Sequence, residues 1–126
     1  MAAQSTTKAT FVASLLFALT ACSGEQTLDQ ATLRALVAES SELLKTELAG
    51  RDIPENRWPK TIKALKPLSV RQRAEPDGLY INVSTFFVQE SGYFVPRDRA
   101  FAPPSDIAEP SLRHLREGVY WYHFAG

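Results

Sequence analysis

Cysteine is nearly absent from this 126-residue chain, which has only Cys22. A single thiol closes no intramolecular disulfide, so a domain built from this sequence must be held by its packed core. Charge of one sign is missing too: Lys and Arg number 14, and so do Asp and Glu. Nucleic-acid binding is demoted accordingly, because gripping a phosphate backbone takes clustered cations. No apolar run approaches the roughly 20 residues that a membrane-spanning helix needs. Histidine is scarce: His114 and His123 stand apart, with no HExxH or CxxC spacing around them, and no metal is expected. Glycine-rich phosphate loops are lacking, which argues against a nucleotide cofactor. No serine sits in a GxSxG-like elbow. Asp98, Asp106 and Glu109 cluster in sequence but lack the spacing of a calcium loop, and solvation accounts for them. The expectation is a protein without enzymatic activity, cofactor or metal, of single-domain length and ordinary globular composition.

What is present begins at the N-terminus. Met1 to Lys8 is polar with one basic side chain and no acid, and Ala9 to Thr20 carries no charge. That stretch is too short to span a bilayer but suits the apolar region of a signal peptide. Leu19-Thr20-Ala21-Cys22 follows. It resembles the lipobox of bacterial lipoproteins, in which a branched apolar residue and small residues precede a cysteine. The resemblance implies that residues 1–21 are a signal peptide recognised through Leu19, Thr20 and Ala21. It also implies that Cys22 carries the lipid, on a thioether and on its new amino group. Ser23 in place of Asp points to the outer membrane, facing the periplasm. Residues 22–26 then form a lipidated N-terminus and short tether, and residues 27–126 a single domain. Four extended residues reach at most about 14 Å, which keeps the domain near the membrane surface. Loss of Lys8 leaves 13 basic against 14 acidic side chains.

Thr27 to Ala49 reads as a helix. Thr27 and Gln30 have capping-box spacing, and Leu33, Leu36, Val37, Ser40, Leu44 and Leu48 recur on one face. Glu39, Glu42, Lys45 and Glu47 belong on the solvated side, and Gly50 suits the left-handed residue after a helix. Trp58-Pro59 opens a short second helix with Ile62 and Leu65 inward, which Pro67 stops; Trp58 suits a core anchor at the junction of helix and sheet. From Leu68 the period becomes two. Leu68, Val70 and Gln72 make one face of a strand, Pro76-Asp77-Gly78 a turn, and Leu79, Ile81 and Val83 the inner face of a second strand. The run Phe86-Phe87-Val88 breaks the alternation, which suggests a bulge or a second covered face. Ser91-Gly92 reads as a turn and Tyr93-Phe94-Val95 as a third strand ended by Pro96. Residues 97–117 form a long connector with a short helix at Ser111 to Arg116, and Val119 to Phe124 is the last strand. The fold class expected is α+β: one long N-terminal helix and a short second helix packed on an antiparallel meander sheet of about four strands.

Two segments could bind a partner. The connector, with Arg97 and Arg99, is long enough to be functional and is equally readable as a plain link. The final strand is aromatic on both faces. Tyr120, Trp121 and Tyr122, with Arg71 and Arg73 on neighbouring strands, would form an interaction surface; alternatively, the connector or chain end covers that face as a second core. The run from Trp58-Pro59 through Gly78-Leu79-Tyr80-Ile81 and Gln89 to Pro96 to Gly118-Val119-Tyr120-Trp121-Tyr122 resembles a group of small uncharacterised bacterial proteins. The overall format is similar to lipoprotein immunity partners, which implies a membrane-anchored protein that binds a protein partner as an inhibitor or immunity factor. A structural accessory of an envelope or secretion assembly is the alternative.

Overall fold

The computed structural model describes residues 27–46, 50–106 and 109–126. The segments expected to form a signal peptide, a lipobox with Cys22 and a tether lie outside the described residues, as do Glu47 and Leu48. The architecture is α+β, with two α-helices on a five-stranded open antiparallel sheet. No helix among the described residues is long and apolar enough to cross a membrane.

Helix α1 (Gln30–Thr46) buries Leu33, Leu36, Val37, Ser40, Leu43 and Leu44. Its start is capped by Asp29 rather than by a Thr27–Gln30 box. The Asp29 carboxylate accepts from the Thr32 amide at 2.7 Å, satisfying one free donor of the first turn. The Gln30 side chain donates instead to Glu117, at 2.7 Å. Glu39 also departs from expectation. It turns inward and accepts from the amides of Thr61 and Ile62 and from the Thr61 hydroxyl. It thereby caps the short helix α2 (Lys60–Ala64), whose Pro59 and Lys60 supply no acceptor of their own. Glu42 pairs with Lys45 in solvent, as expected. Trp58 anchors the intervening segment, its ring nitrogen donating to the Ile53 carbonyl at 2.8 Å.

The strands are β1 (Ser69–Ala74), β2 (Asp77–Phe86), β3 (Gln89–Pro96), β4 (Ser111–Arg116) and β5 (Val119–Phe124), in the order β1-β2-β3-β5-β4. Two features correct the four-strand meander. Ser111–Arg116 is an edge strand, not a short helix, and it places His114 on a strand opposite Tyr120. Leu112 and Leu115, three apart, imitate a helical stripe. A register shift between His114 and Arg116 turns Leu115 toward the α1 side while Leu112 packs on the other face. The β4–β5 hairpin also folds back, so that β5 rather than β4 neighbours β3.

The turn expected at Ser91-Gly92 lies instead at Phe87-Val88, and Gly92 is inside β3 opposite Asn82. A Cβ on Gly92 would stand 1.9 Å from the Ile81 carbonyl oxygen, so glycine here permits a close strand approach rather than a turn. A bulge does interrupt β2, between Asn82 and Ser84, and the Asn82 side chain accepts from the Ser84 amide across it. Leu68 is 62% exposed instead of inward. Gly50 has the expected positive φ of 81° and leads into a segment that pairs with β1. Gly50 and Ile53 donate to the carbonyls of Gln72 and Val70, and Gln72 donates to that of Arg51. The outer edge of β1 is covered by this segment.

Both faces of the sheet are packed. On the helix side, Val70, Leu79, Ile81, Tyr93, Val95 and Val119 meet the α1 stripe, Ile53, Ile62 and Leu65. On the other face lies a second cluster of Tyr80, Phe94, Tyr120 and Tyr122.

Candidate functional site

The aromatic strand divides its side chains between the two faces. Trp121 lies on the helix side, edge-on to Tyr93 with ring centres 5.2 Å apart. Tyr120 and Tyr122 point into the opposite cluster, where Tyr122 is fully buried. The connector covers that cluster: Phe101 stands edge-on to both Phe94 and Tyr120, each at 5.6 Å, and its carbonyl accepts from the Tyr120 hydroxyl. Tyr80 donates to the Pro76 carbonyl and Tyr122 to Glu90, each at 2.7 Å. Burial is the first cause that raises both phenols well above their ordinary range, and the Glu90 carboxylate adds to the effect at Tyr122. Of the two readings of this strand, the second core is the one observed.

The basic residues around it have settled roles. Arg71 pairs with Asp52 at 2.8 Å, and this bond raises its pKa. Arg73 lies over the rings of Phe124 and Tyr80. Arg97 donates through Nε to Asp77 and through Nη1 to the Leu44 carbonyl, at 2.9 and 2.6 Å. It ties the last turn of α1 to the start of β2. Of the predicted binding arginines, Arg99 is exposed, with no hydrogen bond or ion pair of its own among the described residues.

Arg99 borders a cleft that sequence reasoning did not assemble. Two adjoining depressions share Val37, Arg99 and Glu117. Their walls are Arg34 and Ala38 of α1, the end of β3 at Val95 and Pro96, and the β4–β5 turn at Gly118. Glu117 accepts from Gln30 and pairs with Arg34 at 3.4 Å. These contacts, Gln30 first, hold its carboxyl below the usual carboxylate range. The result is an apolar floor flanked by a satisfied acid–base pair and one available guanidinium. Such a mixture suits a protein surface bearing a carboxylate, since the planar fork of arginine matches carboxylate geometry. No sequence signal could locate it, because its members come from three distant segments.

The histidines do not converge. His114 faces Tyr120 on one side of the sheet, ring centres 5.1 Å apart. His123 meets the Ser91 hydroxyl through Nδ1 at 2.6 Å on the helix side, and no carboxylate among the described residues bonds its ring. Among the described residues, no group of three or more His, Cys, Asp or Glu side chains could hold a metal ion. Comparison with protein-family models, with curated proteins and with solved structures finds no match to this chain.

Proposed function

We propose that this chain is a lipid-anchored envelope protein that acts by binding a protein partner at the Arg99 cleft, as an inhibitor or immunity factor, and not by catalysis. Arg99 carries the reading: it is an available guanidinium beside an apolar floor, whereas Arg71, Arg73 and Arg97 are engaged within the domain. The lipobox-like Leu19-Thr20-Ala21-Cys22 supports anchoring through Cys22, with the outer membrane favoured by Ser23. Two measurements test the two halves separately. Cys22→Ala should abolish lipidation and release exported protein from the membrane fraction; retention with normal processing sinks the anchor. Affinity capture from detergent-solubilised envelope should yield a stable partner with the native chain and lose it with Arg99→Glu. Relief of a toxic neighbouring gene product by co-expression would mark the partner as a toxin, whereas capture of a multi-protein envelope assembly would make this chain an accessory of it. Turnover that disappears on substitution of His114 or His123 would refute the binding role.

A further inference from the structure

Among the described residues, an exposed apolar cluster lies at the other end of the sheet from the Arg99 cleft. Phe86, Phe87 and Val88 are 66%, 86% and 76% exposed, at the turn where β2 passes into β3. The two rings pack edge-on against each other with centres 4.6 Å apart and stay exposed to solvent. From Ser84 to Gln89 no side chain is charged. On the stem, Glu90 accepts from the Tyr122 hydroxyl and Glu109 from the Ala125 amide, and Gly126 lies beside the Val88 side chain. Three neighbouring side chains of this size in water are unfavourable unless something covers them.

We infer that the Phe86-Phe87-Val88 tip inserts into the outer part of a lipid bilayer and fixes the orientation of the domain on the membrane. The inference uses a surface distinct from the partner cleft and rests on the lipid-anchor reading. Its geometry follows from the strand register. Thr27 shares a depression with Arg113 to Arg116 on β4, and Arg113 is level with Trp121 and Tyr93. Tyr93 lies five residues from Val88, or about 17 Å along the strand. The five residues from Cys22 to Thr27 reach at most about 17 Å when extended. From the Arg113 end of that depression a fully extended tether just spans the distance to the tip, so a lipid on Cys22 and the hairpin tip meet one surface when the tether is straight. With the tip down, the end of the sheet bearing Arg99 and Glu117 faces away from the membrane, open to a partner. Since no cation lies in the tip, its insertion draws on apolar burial alone and is indifferent to anionic lipid and to salt.

The test reads the environment of the tip directly. In the full chain lipidated at Cys22, Phe87→Cys provides the sole free thiol for an environment-sensitive fluorophore. Ala100→Cys, beside the cleft, is the control. On vesicles of phosphatidylethanolamine with phosphatidylglycerol, a label at position 87 should shift to the blue. It should be quenched by lipids spin-labelled near the headgroup, equally at low and high phosphatidylglycerol, while a label at position 100 stays in water. Adding Val88→Asp, an exposed change that leaves the core intact, should return the position-87 signal to that of the control. A label at position 87 that stays in water, or turns apolar only in a dimer without vesicles or only with a captured protein, overturns the inference. Mass analysis of the Cys22 peptide reports lipidation separately. Its failure would sink the anchor reading, whereas the label alone decides the tip.

Discussion

The Arg73 guanidinium carbon lies 4.5 Å from the centre of the Phe124 ring, although β1 and β5 are separated by two strands. The long side chain spans the aromatic face and also meets Tyr80, at 5.6 Å, so a charged residue forms part of the lid over a buried cluster. Arg73→Ala should destabilise the domain by about 1 kcal/mol, measured by urea unfolding. Arg73→Lys should restore part of that, because its methylene stem still covers the rings.

Glu39 links the two helices. Its carboxylate is the acceptor for the first turn of α2, at 2.9 Å to the Thr61 amide and 3.2 Å to that of Ile62. Glu39→Ala leaves those donors half-buried without a partner and should cost about 2 kcal/mol. Glu39→Gln should cost less, and a double-mutant cycle with Thr61→Val should show coupling between the two positions. Additive effects would contradict the link.

Gly92 sets the spacing of β2 and β3. An added methyl group would meet the carbonyl of Ile81 in the centre of the sheet, where neither strand can retreat without breaking its ladder. Gly92→Ala should therefore cost about 3 kcal/mol or more. Gly118→Ala is the contrast: its Cβ would meet open space but would need a φ of 78°, and the cost should stay near 1 kcal/mol. Thermal unfolding of the two variants distinguishes the causes.

Alkaline pH should weaken the fold through Tyr80 and Tyr122. Burial raises both phenols in the folded chain, while in the unfolded chain they ionise near pH 10. Below that value both states are protonated and the full stabilisation is present. Above it the unfolded state releases protons that the native state retains, and stability falls as pH rises. Urea midpoints between about pH 8 and 11 should show the decline. Tyr80→Phe with Tyr122→Phe should flatten it, whatever the double variant does to stability at neutral pH.

The sequence alone determined what local chemistry and period control. The stripe from Leu33 to Leu44, the alternation in Val70, Leu79 and Ile81, and Pro96 after the third strand specify two helices and antiparallel strands, because side chains three or four apart share a helix face and those two apart share a strand face. Its period misled at Ser111–Arg116, where a bulge gives two leucines a helical spacing on opposite faces of a strand. Gly92 misled similarly, since a glycine that ends a strand and one that admits a neighbouring backbone look alike in one dimension. Tertiary structure decided the rest. It placed β5 beside β3, buried Tyr120 and Tyr122 under Phe101, engaged Arg71, Arg73 and Arg97, and left Arg99 available beside Glu117 and Val37. It also left Phe87 uncovered. Which face of a strand finds a cover depends on segments far apart in the chain, and that pairing is fixed only when the whole core closes.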